Sequence, residues 1–288
     1  MAAIESVALA TLLVASTFAM GMEVKWSRPT RTSFLPLVVA VLINLMLLPA
    51  VAWALVSTFS VPGPAARGIL LCALAPAGGT ASLFVVLAGA DAPFAATLML
   101  SLAAASVVSV PLQVHFFFSG ATDISGTVAY QVLPTLLAFQ LLPLAVGIVL
   151  GRWRPALAGS IKRHVARFAA ALLGAILLMF VVTRGHLVFA NGFVAVVVSV
   201  ALGAAALFSG HLAPAGHRTR IASAFVTSVR NLSLALVLAA QITPGGEAVL
   251  AILVYGLVMY VLAGALVWRE RSRAVHVAGI AEGRVLGP

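Results

Sequence analysis

Long apolar runs separated by short clusters of proline, glycine and charge account for almost the whole chain. A helix crossing a bilayer needs ~20 mostly apolar residues to span ~30 Å of hydrocarbon. Nine runs meet that pattern, near 4–22, 33–58, 67–90, 93–118, 127–150, 166–183, 187–210, 220–241 and 248–268. The punctuation falls at Arg28-Pro29, Pro62-Gly63-Pro64, Ala90-Asp91, Gly120 to Gly126, Arg152 to Arg167, Arg184-Gly185, Pro214 to Arg220 and Pro244-Gly245-Gly246. No stretch alternates with period two for long enough to form a membrane barrel. The first run opens on Glu5 instead of a basic segment, and no small-residue cleavage site follows it. It is therefore expected to be a true span and not a removed leader.

Composition agrees with that pattern. Of 288 residues, 62% are hydrophobic and only 8% charged, with a mean hydropathy of +1.16. A water-soluble domain carries roughly a quarter of its residues charged, so most of this surface faces something other than water. With nine spans, alternate loops collect the basic residues on one side. Lys25, Arg28 and Arg31, the stretch Arg152 to Arg167, Arg218 and Arg220, and Arg269 to Arg284 hold fourteen of the 17 lysines and arginines. Such residues favour the cytoplasm, which predicts an outside N-terminus and a cytoplasmic C-terminus. The net charge of +10 is then a topology signal with some attraction to anionic lipid, and no nucleic-acid partner is needed to explain it. The expected domain plan is one transmembrane unit over 1–268, with a polar cytoplasmic tail at 269–288.

Two spans are not plain helices. The run near 67–90 contains Ala75-Pro76-Ala77-Gly78-Gly79-Thr80-Ala81-Ser82. Proline followed by two glycines removes a backbone donor and helix propensity together. The freed backbone groups must then be buried in protein or line a wet cavity. The run near 220–241 contains Thr227-Ser228-Val229-Arg230-Asn231-Leu232-Ser233, placing a full charge about ten residues from either end. The seven acidic residues Glu5, Glu23, Asp91, Asp123, Glu247, Glu270 and Glu282 lie at span ends or in loops. An intramembrane arginine with no protein anion is a functional candidate by default. One interrupted span runs inward and the other outward, which points to an inverted-repeat transporter with its site at the midplane. Half-helix N-termini at such breaks suit anions.

These residues resemble the bile acid:sodium symporter family. Phe18-Ala19-Met20-Gly21-Met22 is similar to its "MGL" segment, and Pro49 to Trp53 fits the helix that follows. Pro76-Ala77-Gly78-Gly79-Thr80-Ala81-Ser82, with Asp91 after it, resembles the family's first crossover helix. Arg230-Asn231-Leu232-Ser233-Leu234-Ala235-Leu236 resembles the second. The likeness in order and spacing covers about 15–115 and 220–240. It implies interleaved panel and core subdomains, two discontinuous helices crossing in the core, nine helices in this chain, and sodium-coupled transport of organic anions such as bile acids, pantoate-like acids or pyruvate.

Residue by residue the implied sodium ligands survive only in part. Asn44 stands for a ligand glutamine, Ser82 matches a serine and Asn231 an asparagine. Leu83 replaces an asparagine, Ala95 and Met99 fall where a serine and a threonine supply oxygens, Val226 replaces a shared glutamate, and Arg230 replaces a glutamine. Sodium is a hard cation held by oxygens, so these changes argue against it. The sequence leads instead to a secondary transporter of small organic anions in which Arg230 replaces bound sodium. Its guanidinium is suited to a carboxylate, with Asn44, Thr80, Ser82, Ser228 and Asn231 completing the substrate site. Coupling would then be to protons, to exchange, or to nothing. The alternative role for Arg230 is to cap carbonyls at the break.

Three other functions compete. The family's ordinary sodium-coupled symport is one. The related arsenite efflux permeases also carry Arg-Asn here, but their essential cysteine would fall near Ala77, and the single cysteine is Cys72. A membrane enzyme would have to use His115, His186, His211 or His217, which show no metal-ligand spacing. No catalytic residue, metal or cofactor is expected, and the chain should sit in a bacterial inner membrane. Prolines 111, 134 and 143 are expected to bend their helices, and the tryptophans to form interfacial belts.

Overall fold

The fold is that of a computed structural model, which describes residues 2–23, 34–118, 132–242 and 247–285. The described chain forms ten helical segments: α1 (Ala2–Glu23), α2 (Phe34–Thr58), α3 (Gly63–Leu74), α4 (Ala81–Leu87), α5 (Ala92–Phe118), α6 (Val132–Trp153), α7 (Pro155–Gly210), α8 (His217–Ser228), α9 (Leu232–Ile242) and α10 (Glu247–Val285). The single extended pairing among the described residues is a two-residue bridge between Ala77 and Arg230. Five helical stretches are long and apolar enough to cross a bilayer: Phe34–Thr58, Ala92–Phe118, Val132–Trp153, Phe193–Gly210 and Ala248–Arg273. The apolar segments Val7–Met22, Gly63–Leu74 and Leu232–Ile242 are shorter, the last two being halves of interrupted helices. Large side chains such as Phe34, Met46, Trp53, Phe116, Phe193 and Trp268 stay exposed, as a lipid-facing surface requires.

One expected break is reduced and another is absent. The stretch Arg152 to Arg167 is a single turn at Arg154, where φ is −136°, between α6 and α7. The helix then runs without interruption through Arg184-Gly185. One glycine with no proline costs only ~1 kcal/mol of helix propensity, too little to end a long helix. The 56 residues of α7 span about 84 Å at the α-helical rise, so the sequence-based division at 183–187 is not seen as two helices. The helix α10 likewise continues to Val285 through the region expected as a polar tail.

The helices pack as one connected set, with α1 touching α7 and α9 as well as α6. The helix α1 lies along α6, and the approach is close enough that a Cβ on Gly21 would run into the Leu144 carbonyl, and one on Gly147 into that of Phe18. Small residues let membrane helices touch backbone to backbone. Elsewhere α10 lies against α3 and α7, and α8 against α7 and α5.

Prolines 49 and 143 each follow a π-helical turn, Ile43–Leu47 in α2 and Leu136–Leu141 in α6. A proline removes the donor for the carbonyl four residues earlier, here Leu45 and Phe139. Leu45 O instead accepts from Gln113 Nε2 of α5. Phe139 O accepts from Thr17 Oγ1 of α1 at 3.3 Å. Proline-freed carbonyls therefore join neighbouring helices at the places where lipid could not satisfy them.

Candidate functional site

Both interrupted spans are interrupted where the sequence places the breaks. The helix α3 makes its last bond from Ala75 N–H to Leu71 O at 3.0 Å, and Ala75 is then extended. The helix α8 closes with Val229 N–H to Phe225 O at 2.9 Å, and Val229 is also extended. The two breaks run antiparallel and pair. Gly78 N–H donates to Val229 O and Asn231 N–H to Pro76 O, each at 2.8 Å. Backbone groups that neither helix can satisfy thus satisfy each other, as they must away from water. A Cβ on Gly78 would lie 2.7 Å from Arg230 O, so the glycine is what allows this approach.

Pro76 leaves Cys72 O without its helical donor, and the break does the same to Ala73 O. Arg230 fills both places. Its Nε donates to Cys72 O at 3.2 Å and its Nη2 to Ala73 O. Nη1 donates to Asn44 Oδ1 at 2.5 Å and to Thr227 O at 3.4 Å. Asn44 is held in turn, its Nδ2 donating to Ala40 O at 2.8 Å and to Thr227 Oγ1 at 3.0 Å. It sits inside the π-helical turn of α2. The carbonyl ends of α3 and α8 both face the guanidinium, and such ends carry partial negative charge. Arg230 is only 2% exposed. Among the described residues its side-chain partners are neutral oxygens alone, from three main-chain carbonyls and one amide.

The six residues expected to form a site are not equally placed. Asn44 and Arg230 touch. Asn231 caps α9, its Oδ1 accepting Leu234 N–H at 3.1 Å. Ser228 is buried, its hydroxyl donating to Phe225 O at 3.3 Å. Ser82 Oγ donates to Gly79 O at 2.8 Å. Thr80 is exposed and shares a hydrogen bond with Tyr260 at 3.2 Å, and Phe84 lies against both Tyr260 and Phe225 with ring centroids 6.0 Å apart. On the other side α1 closes over the break, and Ser16 Oγ reaches Ser233 Oγ at 3.3 Å.

Sequence reasoning missed Thr227 as a partner of Asn44, Tyr260 as a partner of Thr80, and the carbonyls of Cys72 and Ala73. The carbonyls were within reach of the proline rule, because Pro76 lies four residues after Cys72. The others depend on contacts between distant helices, which no local pattern marks.

An all-helical membrane protein whose two interrupted helices are joined back to back through their breaks has the construction of a secondary transporter. The model of the Sodium Bile acid symporter family matches residues 10–191, and the chain belongs to that family. A comparison with curated proteins finds no match. Members of the family are membrane transporters of organic anions, not enzymes. The matched residues include the first interrupted helix and end before the second. The positions where the resemblance places sodium ligands carry few oxygens here. Val226, Ala95 and Met99 are buried and apolar, Leu83 is 56% exposed, and the oxygens at the crossing are already bonded to a guanidinium.

Proposed function

We propose that the chain is a secondary transporter of small organic anions in which the Arg230 guanidinium replaces the sodium bound by other family members. The observation that carries this reading is the set of Cys72 O, Ala73 O, Thr227 O and Asn44 Oδ1 around one buried positive charge. Oxygens of this kind are what a hard cation takes. A desolvated charge facing only neutral dipoles favours a mobile anion nearby. Asn44, Thr80, Ser82, Ser228 and Asn231 complete the site. Of these Thr80 is the most exposed, while the buried Arg230 acts on the anion through its charge.

The accompanying orientation, read from the basic loops, puts the N-terminus outside and the C-terminus in the cytoplasm of a bacterial inner membrane, with two of the nine expected runs continuous in α7. The close packing of α1 on α6 is compatible with a panel, and the helices joined at the bridge with a core. These subdomains interleave over 1–268, and 269–288 lies in the cytoplasm. Alternating access would follow from movement of one group against the other.

Uptake of a carboxylate panel into proteoliposomes, with sodium, potassium and proton gradients imposed separately, tests the reading. Saturable uptake of at least one carboxylate without sodium is expected, and strict sodium dependence would sink it. A second reading, that Arg230 only stabilises the break, is favoured by the bonding of all three guanidinium nitrogens. Arg230→Gln separates the two. Unchanged anion affinity per folded molecule, with lower thermal stability, is the outcome of the second.

A further inference from the structure

A cation that binds and leaves lets an ion gradient set the direction of transport. Arg230 cannot leave. It is covalently part of the chain, and its three guanidinium nitrogens are tied to α2, α3 and α8. Among the described residues, the other ionisable side chains buried around the bridge are Cys72, Tyr255 and the partly buried Tyr260. Carboxylates and imidazoles described near this half of the molecule belong to its far end. Asp91 accepts from Thr219 Oγ1 at 2.9 Å, and Glu270 pairs with His217 at 2.7 Å and Arg273 at 3.5 Å. His217 opens α8, about three turns before the bridge. Among the described residues, then, the bridge has no carboxylate or imidazole to carry a proton and no free oxygen cage to carry sodium.

From this fixed charge we infer that the protein moves anions electrogenically and, in a cell with a negative interior, outward. The inference rests on the organic-anion reading above and adds its driving force and direction. The site carries the same positive charge in every state of the cycle, so the net charge translocated is that of the solute alone. A monovalent anion then follows the membrane potential, which at about 100 mV sustains a roughly 50-fold concentration ratio. The protein releases anions that metabolism accumulates, the reverse of sodium-driven uptake. Because the charge balance is independent of orientation, reconstituted protein facing either way should respond alike.

The test uses the full chain in sodium-free proteoliposomes with labelled pyruvate, pantoate and taurocholate. Potassium gradients with valinomycin set the potential. Exchange of labelled for unlabelled anion at zero potential is measured first. For the anion that exchanges, an inside-positive potential should drive accumulation toward about 50-fold at about 100 mV, an inside-negative potential should deplete it, and added sodium should change neither. Exchange that proceeds while the potential has no effect overturns electrogenic export and leaves anion transport standing. Accumulation that follows a sodium or proton gradient at clamped potential overturns it as well. Exchange of none of the three above empty vesicles overturns the anion reading and this inference together.

Discussion

Arg230 Nε donates to the carbonyl of Cys72, the residue whose helical partner Pro76 removes. The charge that is hardest to bury and the carbonyl that is hardest to leave bare are thus joined, across 158 residues of sequence. Each would be expensive alone, since unpaired buried groups of either kind cost several kcal/mol. Together they fix where the two interrupted helices cross, and the backbone pairs between 76–78 and 229–231 complete the crossing.

Gly78→Ala tests how closely the backbones must approach. The added methyl would sit 2.7 Å from Arg230 O and 3.1 Å from its carbonyl carbon, and neither is a flexible group. Overpacking of this kind costs about 1–3 kcal/mol, so the melting temperature in detergent should fall clearly. Gly174→Ala is the control. It lies inside α7 with nothing within 4 Å of the added carbon, and it should be neutral or slightly stabilising. Equal melting of the two variants would mean that the bridge does not set the packing.

Pro49 and Gln113 should be energetically coupled although they are on different helices. Gln113 Nε2 supplies the bond that Pro49 denies to Leu45 O. Gln113→Leu then leaves that carbonyl bare, at about 1–3 kcal/mol. In a Pro49→Ala background the alanine N–H can take over, and the same change should cost about 1–2 kcal/mol less. A double-mutant cycle of reversible unfolding in mixed micelles measures the coupling, and a coupling near zero would contradict the proposed substitution of partners.

Local chemistry made much of this legible. Pro76-Ala77-Gly78-Gly79 and Arg230 are conspicuous in apolar surroundings, and both interruptions fall there. What lay out of reach was long-range partnership. Nothing near Asn44 in sequence announces Arg230 or Thr227, and nothing near Thr80 announces Tyr260, because these contacts depend on how separate helices cross. The failure at Arg184-Gly185 has a different cause. Charge and glycine punctuate a hydropathy profile, yet they do not break hydrogen bonds, so a polar interruption in the pattern is compatible with an unbroken helix.

Asp91 carries the start of α5. Its Oδ1 accepts Phe94 N–H at 3.0 Å, while Oδ2 accepts Thr219 Oγ1 at 2.9 Å. It therefore caps one helix and ties it to α8. Asp91→Ala should cost about 1–2 kcal/mol, and Asp91→Asn much less, because an amide oxygen can still cap. Thermal melting of the two variants beside Thr219→Val separates the cap from the tie. A loss in Thr219→Val equal to that in Asp91→Ala would assign the effect to the tie.

Two substitutions at the crossing would convert it toward a sodium site. Val226 is fully buried in α8, one turn before Arg230. Glutamate at 226 and glutamine at 230 would return a carboxylate and an amide oxygen to the crossing and remove the tethered charge. Cys72 O, Ala73 O, Thr227 O and Asn44 Oδ1 would then be free to join them around a hard cation. Ligand that binds only the folded state raises the melting temperature by mass action, so sodium chloride should stabilise Val226→Glu/Arg230→Gln more than potassium chloride does. The parent protein should melt alike in the two salts, since its oxygens are occupied. Arg230→Gln alone is expected to be destabilised with a weaker sodium response, lacking the carboxylate. If the parent melts higher in sodium than in potassium and the double variant does not, the guanidinium is not the occupant of a cation site, and its charge serves only to hold the break together.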